Sequence, residues 1–406
     1  MYKNFNLDNF ISEKVTRRKE SLLTKDLVKY NTQLDNKILN KNVLVIGGAG
    51  SIGSSFIKAI LKFKVKKLVV IDLNENGLTE LVRDLRSSSD LRMPKDFITY
   101  PIDFASKVFE KIFISHGPFE IVANFAAHKH VRSEKDIFSI EAMIRNNLIK
   151  AKKLLDILVD YPPEHFFCVS TDKAANPVNI MGASKKLMEE LIMSYSELIP
   201  IKTARFANVA FSNGSLPRGF LDRLLKKQPW SCPTEIKRFF VSPKEAGQLC
   251  LIACIIGETG DIFFPKLDEE KDMIPFDQIA IDLLNYLELE PDFCKSEKEA
   301  RHKSLLLNKN SKKYPVFLFK SDTSGEKSFE EFYTDQEELD LKSFYELGVI
   351  KNSFSNKALD INLVINDIIN LFLIEKFSKR DLVSLLQKYL PNFSHIETGK
   401  HLDQKM

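Results

Sequence analysis

Four apolar residues, Val43-Leu44-Val45-Ile46, run directly into Gly47-Gly48-Ala49-Gly50-Ser51-Ile52-Gly53, and a helical pattern follows from Ser51 to Phe63. No other stretch limits the fold as tightly. The apolar run reads as a short buried strand. Glycines at 47, 50 and 53 permit a tight turn and let the backbone come close to a ligand. The following helix opens with unpaired N–H groups and the positive end of its dipole, which suits phosphate. A glycine pattern alone is weak. A strand before it and a helix after it favour a dinucleotide site over a ligand-free turn. The pyrophosphate would lie on Gly47, Gly50 and Gly53 and on the first-turn amides of Ser51 and Ile52.

The alternation continues beyond this unit. Strand-like runs recur at Lys67–Ile71, Phe97–Tyr100, Ile121–Asn124, Phe166–Ser170 and Lys202–Arg205, with helical patterns at Gly77–Ser87, Ile140–Val159 and Met181–Leu198. Strands alternating with helices imply an α/β fold, a doubly wound parallel sheet of Rossmann type. The expected organisation is a polar helical arm over 1–41, a dinucleotide-binding domain over 42–210, a smaller substrate lobe over 211–330 and a helical C-terminal extension over 331–406. The regular pattern ends near Asn208. Ile361–Phe372, interrupted by Asn and Asp, reads as an amphipathic helix.

Asp72 closes the second strand about twenty residues beyond the glycines, where a carboxylate accepts bonds from an adenosine ribose. It would repel a 2′-phosphate, and Leu73-Asn74-Glu75 offers no Arg to hold one. NAD is therefore expected rather than NADP. Asp103, after the third strand, is placed for the adenine amine; an exposed loop carboxylate is the alternative. The small residues of Asn124-Phe125-Ala126-Ala127 let a cofactor lie against the backbone at Ala126.

A second polar constellation ends the fifth strand: Cys168-Val169-Ser170-Thr171-Asp172-Lys173. Ligands of open α/β sheets bind at the carboxyl ends of the strands, so a hydroxyl, a carboxylate and an amine arrive together where chemistry is expected. Met181 and Lys185 follow, four residues apart on one helix face. On spacing alone, an ordinary capped turn competes with this reading.

A net charge of +4 over 406 residues gives no electrostatic footprint for nucleic acid. Lys64–Lys67 and Lys309–Lys313 read as solvated faces. The five cysteines are scattered, with no CxxC, and Cys250 and Cys254 read as helix core, so no metal is expected. The first 42 residues are charged throughout, unlike a secretory leader. No run of about 18 apolar residues suggests a membrane span. A cytoplasmic setting is expected.

The segments GGAGSIGSS, NFAAHKHV, STDKAANPVNIMGASK, RFANVAFSNGS and IKRFFVSPKEA resemble the extended short-chain dehydrogenases/reductases that act on nucleotide sugars. The nearer likeness is to bacterial UDP-N-acetylglucosamine 4,6-dehydratases of polysaccharide biosynthesis, over roughly residues 42–260. A Tyr at position 181 would complete the Tyr-x-x-x-Lys pair of the wider family; Met181 fits a branch that carries Met there. The resemblance implies C4 oxidation by NAD, loss of water across C5 and C6, and hydride return to C6. In that scheme Asp172 is the acid for the C6 hydroxyl and Lys173 the base at C5. A Lys base must be neutral, and burial and the charge of Lys185 are expected to lower its pKa. Lys185 would hold the nicotinamide ribose, and Thr171 would be the hydroxyl nearest the sugar.

Lys129 and His130 lie on the same rim, and Asn147 is expected to be a structural support. Asn208, Asn213 in the turn Ser212–Ser215, and Arg238 are expected to meet the nucleotide, with Arg205 ending the sixth strand; the family's RFGN reads Arg205-Phe206-Ala207-Asn208 here. A nucleotide-sugar substrate and a homo-oligomer are implied. The alternatives are a nucleotide-sugar 4-epimerase, which needs no acid–base pair at C5 and C6, and a non-catalytic NAD-binding protein, supported only by Met181.

Overall fold

A computed structural model describes residues 5–321, 325, 327, 330–351, 359–397 and 399. Residues 1–4 of the N-terminal arm, and 352–358 and 401–406 of the C-terminal extension, lie outside the described residues.

Among the described residues, fifteen strands occur in the order β1 (Asn42–Ile46), β2 (Lys67–Asp72), β3 (Asp96–Pro101), β4 (Ile121–Asn124), β5 (His165–Val169), β6 (Ile201–Ala204), β7 (Asn208–Val209), β8 (Trp230–Thr234), β9 (Lys237–Val241), β10 (Ile262–Pro265), β11 (Met273–Pro275), β12 (Glu290–Cys294), β13 (Lys313–Lys320), β14 (Leu339–Asp340) and β15 (Leu347–Ile350). Nine build the main sheet, in the order β14-β15-β10-β6-β5-β4-β1-β2-β3. The pairings from β3 through to β10 are parallel, whereas β15 runs antiparallel to β10 and β14 antiparallel to β15. Every residue of β1, β4, β5 and β6 is buried. Parallel strands covered on both faces read as continuous apolar runs, which is why the sequence disclosed them.

The chain reverses direction across the sheet between β1, which pairs with β2 on one side, and β4 on the other. A ligand crevice forms at such a switch point, outside the carboxyl ends of the strands.

The sheet also draws on residues well beyond 210. The helix Pro243–Ile256 buries ten of its residues, including Cys250 and Cys254, against the helix Ser51–Ile60 and the undersides of β5 and β6, and then feeds β10. Its N-terminus carries a capping box of Ser242 and Glu245. Arg18 clamps the same Glu245 at 2.9 and 3.0 Å, fastening the start of the chain to this helix.

The N-terminal segment is embedded in the molecule. The helix Thr24–Ile38 packs on Pro243–Ile256, and buried Asp26 accepts from the backbone N–H of Tyr345 (2.7 Å) and Glu346 (2.9 Å) as the chain enters β15. Phe10 sits in a second core with Phe211, Phe220, Trp230 and Leu283. That core supports two small sheets, β11-β9-β7 and β12-β13-β8. Near the C-terminus, helices Ile361–Leu373 and Lys379–Tyr389 pack on each other, and the first lies against the helix Ile180–Ser194.

Candidate active site

The glycine-rich loop leaves β1 at the switch point. Gly47 has φ +75°, and a Cβ there would meet Ala126 N at 2.6 Å, so only glycine lets the two strand ends approach so closely. A Cβ on Gly53 would lie 2.3 Å from Gly47 O, because the first helical turn is pressed onto the loop. Gly50 caps the helix Ser51–Ile60 without any side-chain hydrogen bond. The first-turn amides of Ser51, Ile52 and Gly53 therefore have no side-chain cap competing for them. Asp72 accepts from Ala49 N and Asn74 N, both at 2.9 Å, so the proposed ribose carboxylate also braces the glycine loop.

Asp103 accepts from Ala105 N and is ion-paired to Lys150. Burial raises its pKa, but the Lys150 ammonium and the Ala105 amide outweigh that and hold the carboxyl below its ordinary range.

Beyond β4, Asn147 controls the path of the rim. Its Oδ1 accepts from His128 N at 2.8 Å, and its Nδ2 donates to His128 O at 2.9 Å and to Ser184 Oγ at 3.1 Å. It sits in a π-helical turn, Arg145–Ile149, of the kind often found where a helix is bent to serve a site. Asn147 thus ties the His128–His130 rim to the helix that carries Met181 and Lys185. The turn at Ser212–Ser215 closes over from the other side: Asn213 N donates to Ser51 Oγ at 2.9 Å, and a Cβ on Gly214 would touch the His130 ring.

The polar end of β5 forms the charged floor. Asp172 is 4% exposed, and its Oδ1 accepts from Thr171 Oγ1 (2.9 Å), Lys173 N (2.9 Å) and Lys173 Nζ (3.0 Å). Glu330 reaches the same ammonium at 3.4 Å, and Arg238 stands 4.0 Å from Glu330. Four charges therefore alternate in one cluster, in which Asp172, Glu330 and Arg238 are buried and Lys173 is half-buried. Met181 is buried on the neighbouring helix. Lys185, also buried, donates to Val169 O at 2.6 Å. Burial lowers the Lys185 pKa, partly opposed by Cys168 and Glu189.

One cleft of about 640 Å³ joins these groups. Ile52, Lys129, His130, Thr171, Asp172, Lys173, Met181, Lys185, Asn208 and Arg238 all line it. The volume is within the usual range for a ligand pocket. Asn213 is exposed and reaches the glycine-rich helix through its backbone instead of lining the cleft.

One sequence expectation is corrected. Burial does act to lower the Lys173 pKa, but Asp172 and Glu330 together overcome it, with Arg238 opposing, and the net direction is upward. Lys173 is thus pushed toward its ammonium form, and Lys185 is turned to the Val169 carbonyl. Arg205, at the end of the sixth strand, is enclosed by protein groups. It is fully buried, bonded through both ends of its guanidinium to Glu189 (3.0 and 2.9 Å) and to Glu337 (2.8 and 2.7 Å).

Two site residues escaped the sequence reading. Glu330 comes from a polar stretch without periodic signal. Buried Glu134 lies in the short turn Val131–Glu134 and accepts from Met181 N at 2.9 Å. A motif search along one segment sees neither, because both act across the fold.

Fold and cleft define a Rossmann-like α/β protein with a glycine-rich nucleotide loop and a charged cluster at the end of β5. A family model described as "Polysaccharide biosynthesis protein" matches residues 43–349, and the chain belongs to that family. It is 30% identical over 340 residues to an uncharacterized membrane protein of Methanocaldococcus jannaschii, covering 80% of this chain and 92% of that one. Among the described residues, no helix is long and apolar enough to cross a membrane.

The chain is 27% identical over 239 residues to a UDP-N-acetylglucosamine 4,6-dehydratase (inverting) of Campylobacter jejuni, covering 57% of this chain and 68% of that one. A UDP-glucose 4-epimerase of Rickettsia canadensis is 28% identical over 239 residues, covering 56% and 67%. The chain spans about half the length of two related polysaccharide biosynthesis proteins, from Staphylococcus aureus and Bacillus subtilis. Among solved structures, Pen from Bacillus thuringiensis shares the fold, with a TM-score of 0.63 and 21% identity over 83% of this chain and 99% of that one.

Proposed function

We propose that this protein is an NAD-dependent nucleotide-sugar 4,6-dehydratase, acting on UDP-N-acetylglucosamine or a close relative for surface-glycan biosynthesis. The reading rests on the Asp172–Lys173 pair, held at 3.0 Å in one cleft with Met181 and Lys185. A hydrogen-bonded acid and base at that place suit elimination across two adjacent carbons. A 4-epimerase needs C4 oxidation but nothing at C5 and C6. The dehydratase and epimerase relatives share similar identity with this chain, 27% and 28%, so the dehydratase reading is supported by the Asp172–Lys173 pair.

The nucleotide site fits NAD on its own geometry. The cradle at Gly47 and Gly53 has no room for a Cβ, the helix at Gly50 lacks a side-chain cap, and Asp72 sits where a ribose is bound. Bound there, NAD would supply an acceptor for the C4 hydride and return it to C6. Lys185 would hold the nicotinamide ribose and favour loss of the C4 hydroxyl proton by its charge. The Thr171 hydroxyl, now bonded to Asp172, would turn to the C4 oxygen. Met181 has no proton to give and packs beside the sugar.

The raised pKa of Lys173 shapes the acid–base step. For elimination, one proton passes from the Lys173 ammonium to the Asp172 carboxylate, giving a neutral amine beside a carboxylic acid. A dry cleft disfavours that neutral pair less than water does, because separated charges are costly to bury. Lys173 then takes the C5 proton while Asp172 protonates the departing C6 hydroxyl. Water leaves, and the original carboxylate and ammonium are restored. As hydride arrives at C6, the Lys173 ammonium would protonate C5, and the proton released from the C4 hydroxyl would replace the one Lys173 gives up.

Lys173→Met tests this assignment. The variant should fold and bind NAD, and should lose dehydration and solvent-deuterium exchange at C5, while some sugar-dependent rise in reduced-cofactor absorbance persists. Normal turnover would move the base to another group, with Lys129 and His130 next in line.

A further inference from the structure

Once Asp172 has taken the proton, something else must keep Lys173 basic. Buried beside Arg238, a lone amine would be a poor base, since desolvation and a nearby positive charge both favour its neutral form. Among the described residues, Glu330 is the other carboxylate within reach, 3.4 Å from Lys173 Nζ.

The fold places Glu330 there through anchors on either side. Gly325 O accepts from Asn179 Nδ2 at 2.8 Å, and Glu331 accepts from Asn176 Nδ2 at 2.9 Å. Both asparagines belong to the turn between Lys173 and the helix Ile180–Ser194. Downstream, Phe332 O accepts from buried Arg205 at 2.9 Å, and the Phe332 ring packs on Phe239 with centroids 5.3 Å apart. Glu330 is 5% exposed. A carboxylate buried this deeply needs cationic partners; Lys173 at 3.4 Å and Arg238 at 4.0 Å both line the cleft.

We propose that Glu330 is a positioning residue for Lys173: its carboxylate stays beside the amine through the cycle and keeps it a strong base while Asp172 carries the proton. The inference rests on the dehydratase reading for its catalytic consequence, but not for its effect on Lys173 itself. Burial pushes the Glu330 carboxyl up, aided by Asp172 and opposed by Lys173, Arg238 and Lys327. Turnover should therefore fail on the acid side as Glu330 is protonated.

The test separates the two levels. Without any sugar, the rate at which acetic anhydride acylates Lys173, read by peptide mass spectrometry across pH, reports its free-amine fraction. Glu330→Gln should speed labelling at neutral pH by at least about tenfold, one pKa unit, and Glu330→Asp should return it toward the wild-type rate. On a nucleotide sugar, Glu330→Gln should do the reverse. It should lower kcat by at least about tenfold with KM little changed and flatten the acid limb of the pH profile, and Glu330→Asp should restore part of the loss. A Lys173 that labels faster yet works more slowly is a signature general misfolding does not produce. If Glu330→Gln proves unfolded, Glu330→Asp against wild type carries the comparison, with an intermediate change in labelling expected. Equal labelling in all the folded proteins overturns the proposal. Faster labelling with no dehydration by the wild type leaves Glu330 in control of Lys173 and removes the dehydratase reading instead.

Discussion

Glu134 Oε1 accepts the backbone N–H of Met181 at 2.9 Å, at the start of the helix that presents Lys185 to the cleft. The other carboxylate oxygen faces His395 Nε2 at 3.6 Å, and the neighbouring Ile396 N donates to Val178 O at 3.0 Å. A carboxylate is favourable at a helix N-terminus. Residues close to the C-terminus, past the stretch matched by the family model, therefore steady the turn before the Met181–Lys185 helix.

Removing that carboxylate should loosen the helix start. Glu134→Ala leaves a buried N–H without its charged acceptor, a loss of about 1–3 kcal/mol, whereas Glu134→Gln keeps an acceptor and should cost less. Urea unfolding of the two variants measures the difference; equal stabilities would dismiss the role.

Arg205 should prove to be structural. Its guanidinium bridges Glu189, 1% exposed, and Glu337 in the segment that leads from Glu330. Breaking such a pair strands buried charge, so Arg205→Met should cost about 3–5 kcal/mol and lower the melting temperature. Nucleotide binding by the molecules that remain folded should persist. A stable variant that loses only substrate affinity would contradict this role.

Acid should destabilise the fold through a buried histidine. Burial, with Lys202 nearby, lowers the His165 pKa from 6.5 to about 3. The unfolded chain binds that proton below pH 6.5 and the folded one does not, so stability falls as pH drops from 6.5 toward 3. Glu189 acts in the same direction at lower pH. Burial raises its pKa, but Arg205 overcomes that and holds it below 4.5, so its contribution is lost as pH falls from there through the folded value. Denaturation midpoints between pH 7 and 4 should decline in the wild type and decline less in His165→Gln. Parallel curves for the two proteins would contradict this.

The sequence disclosed the central sheet where burial leaves a simple signature. Val43–Ile46, Lys67–Ile71 and Ile121–Asn124 are apolar runs because helices cover both faces, and the glycine loop is legible because its geometry excludes side chains. β10 was missed because Ile262–Pro265 is only four residues long, ends in proline and lies beyond the last clear alternation. The embedding of Phe10 and Ile11 was equally hidden, since single buried positions set no period. Lys173 shows the same limit at the site. Its immediate neighbours were visible, but the direction of its pKa depends on Glu330, which only tertiary structure brings within 3.4 Å.

Met181 should be replaceable. Met181→Leu keeps similar volume and should lower kcat/KM by less than tenfold, about 1.4 kcal/mol of barrier. Thr171→Val removes the hydroxyl that now contacts Asp172 and should cost on the order of a hundredfold. A dead Leu variant beside an active Val variant would give Met181 a specific role.

The glycine cradle should admit no side chain. Gly53→Ala drives a Cβ toward Gly47 O at 2.3 Å and should weaken NAD binding by more than tenfold without unfolding the protein, as followed by calorimetric titration. Asp72→Ala should erode the preference for NAD over NADP. Unchanged NAD affinity in the Gly53→Ala protein would place the cofactor elsewhere.

The most direct test of the whole account is the mass of the product. The purified protein, incubated with NAD and UDP-N-acetylglucosamine in deuterated water, should yield a nucleotide sugar lighter by one water, with solvent deuterium at C5. A sugar of unchanged mass and altered C4 configuration would make this chain an epimerase and leave the Asp172–Lys173 pair without the chemistry assigned to it.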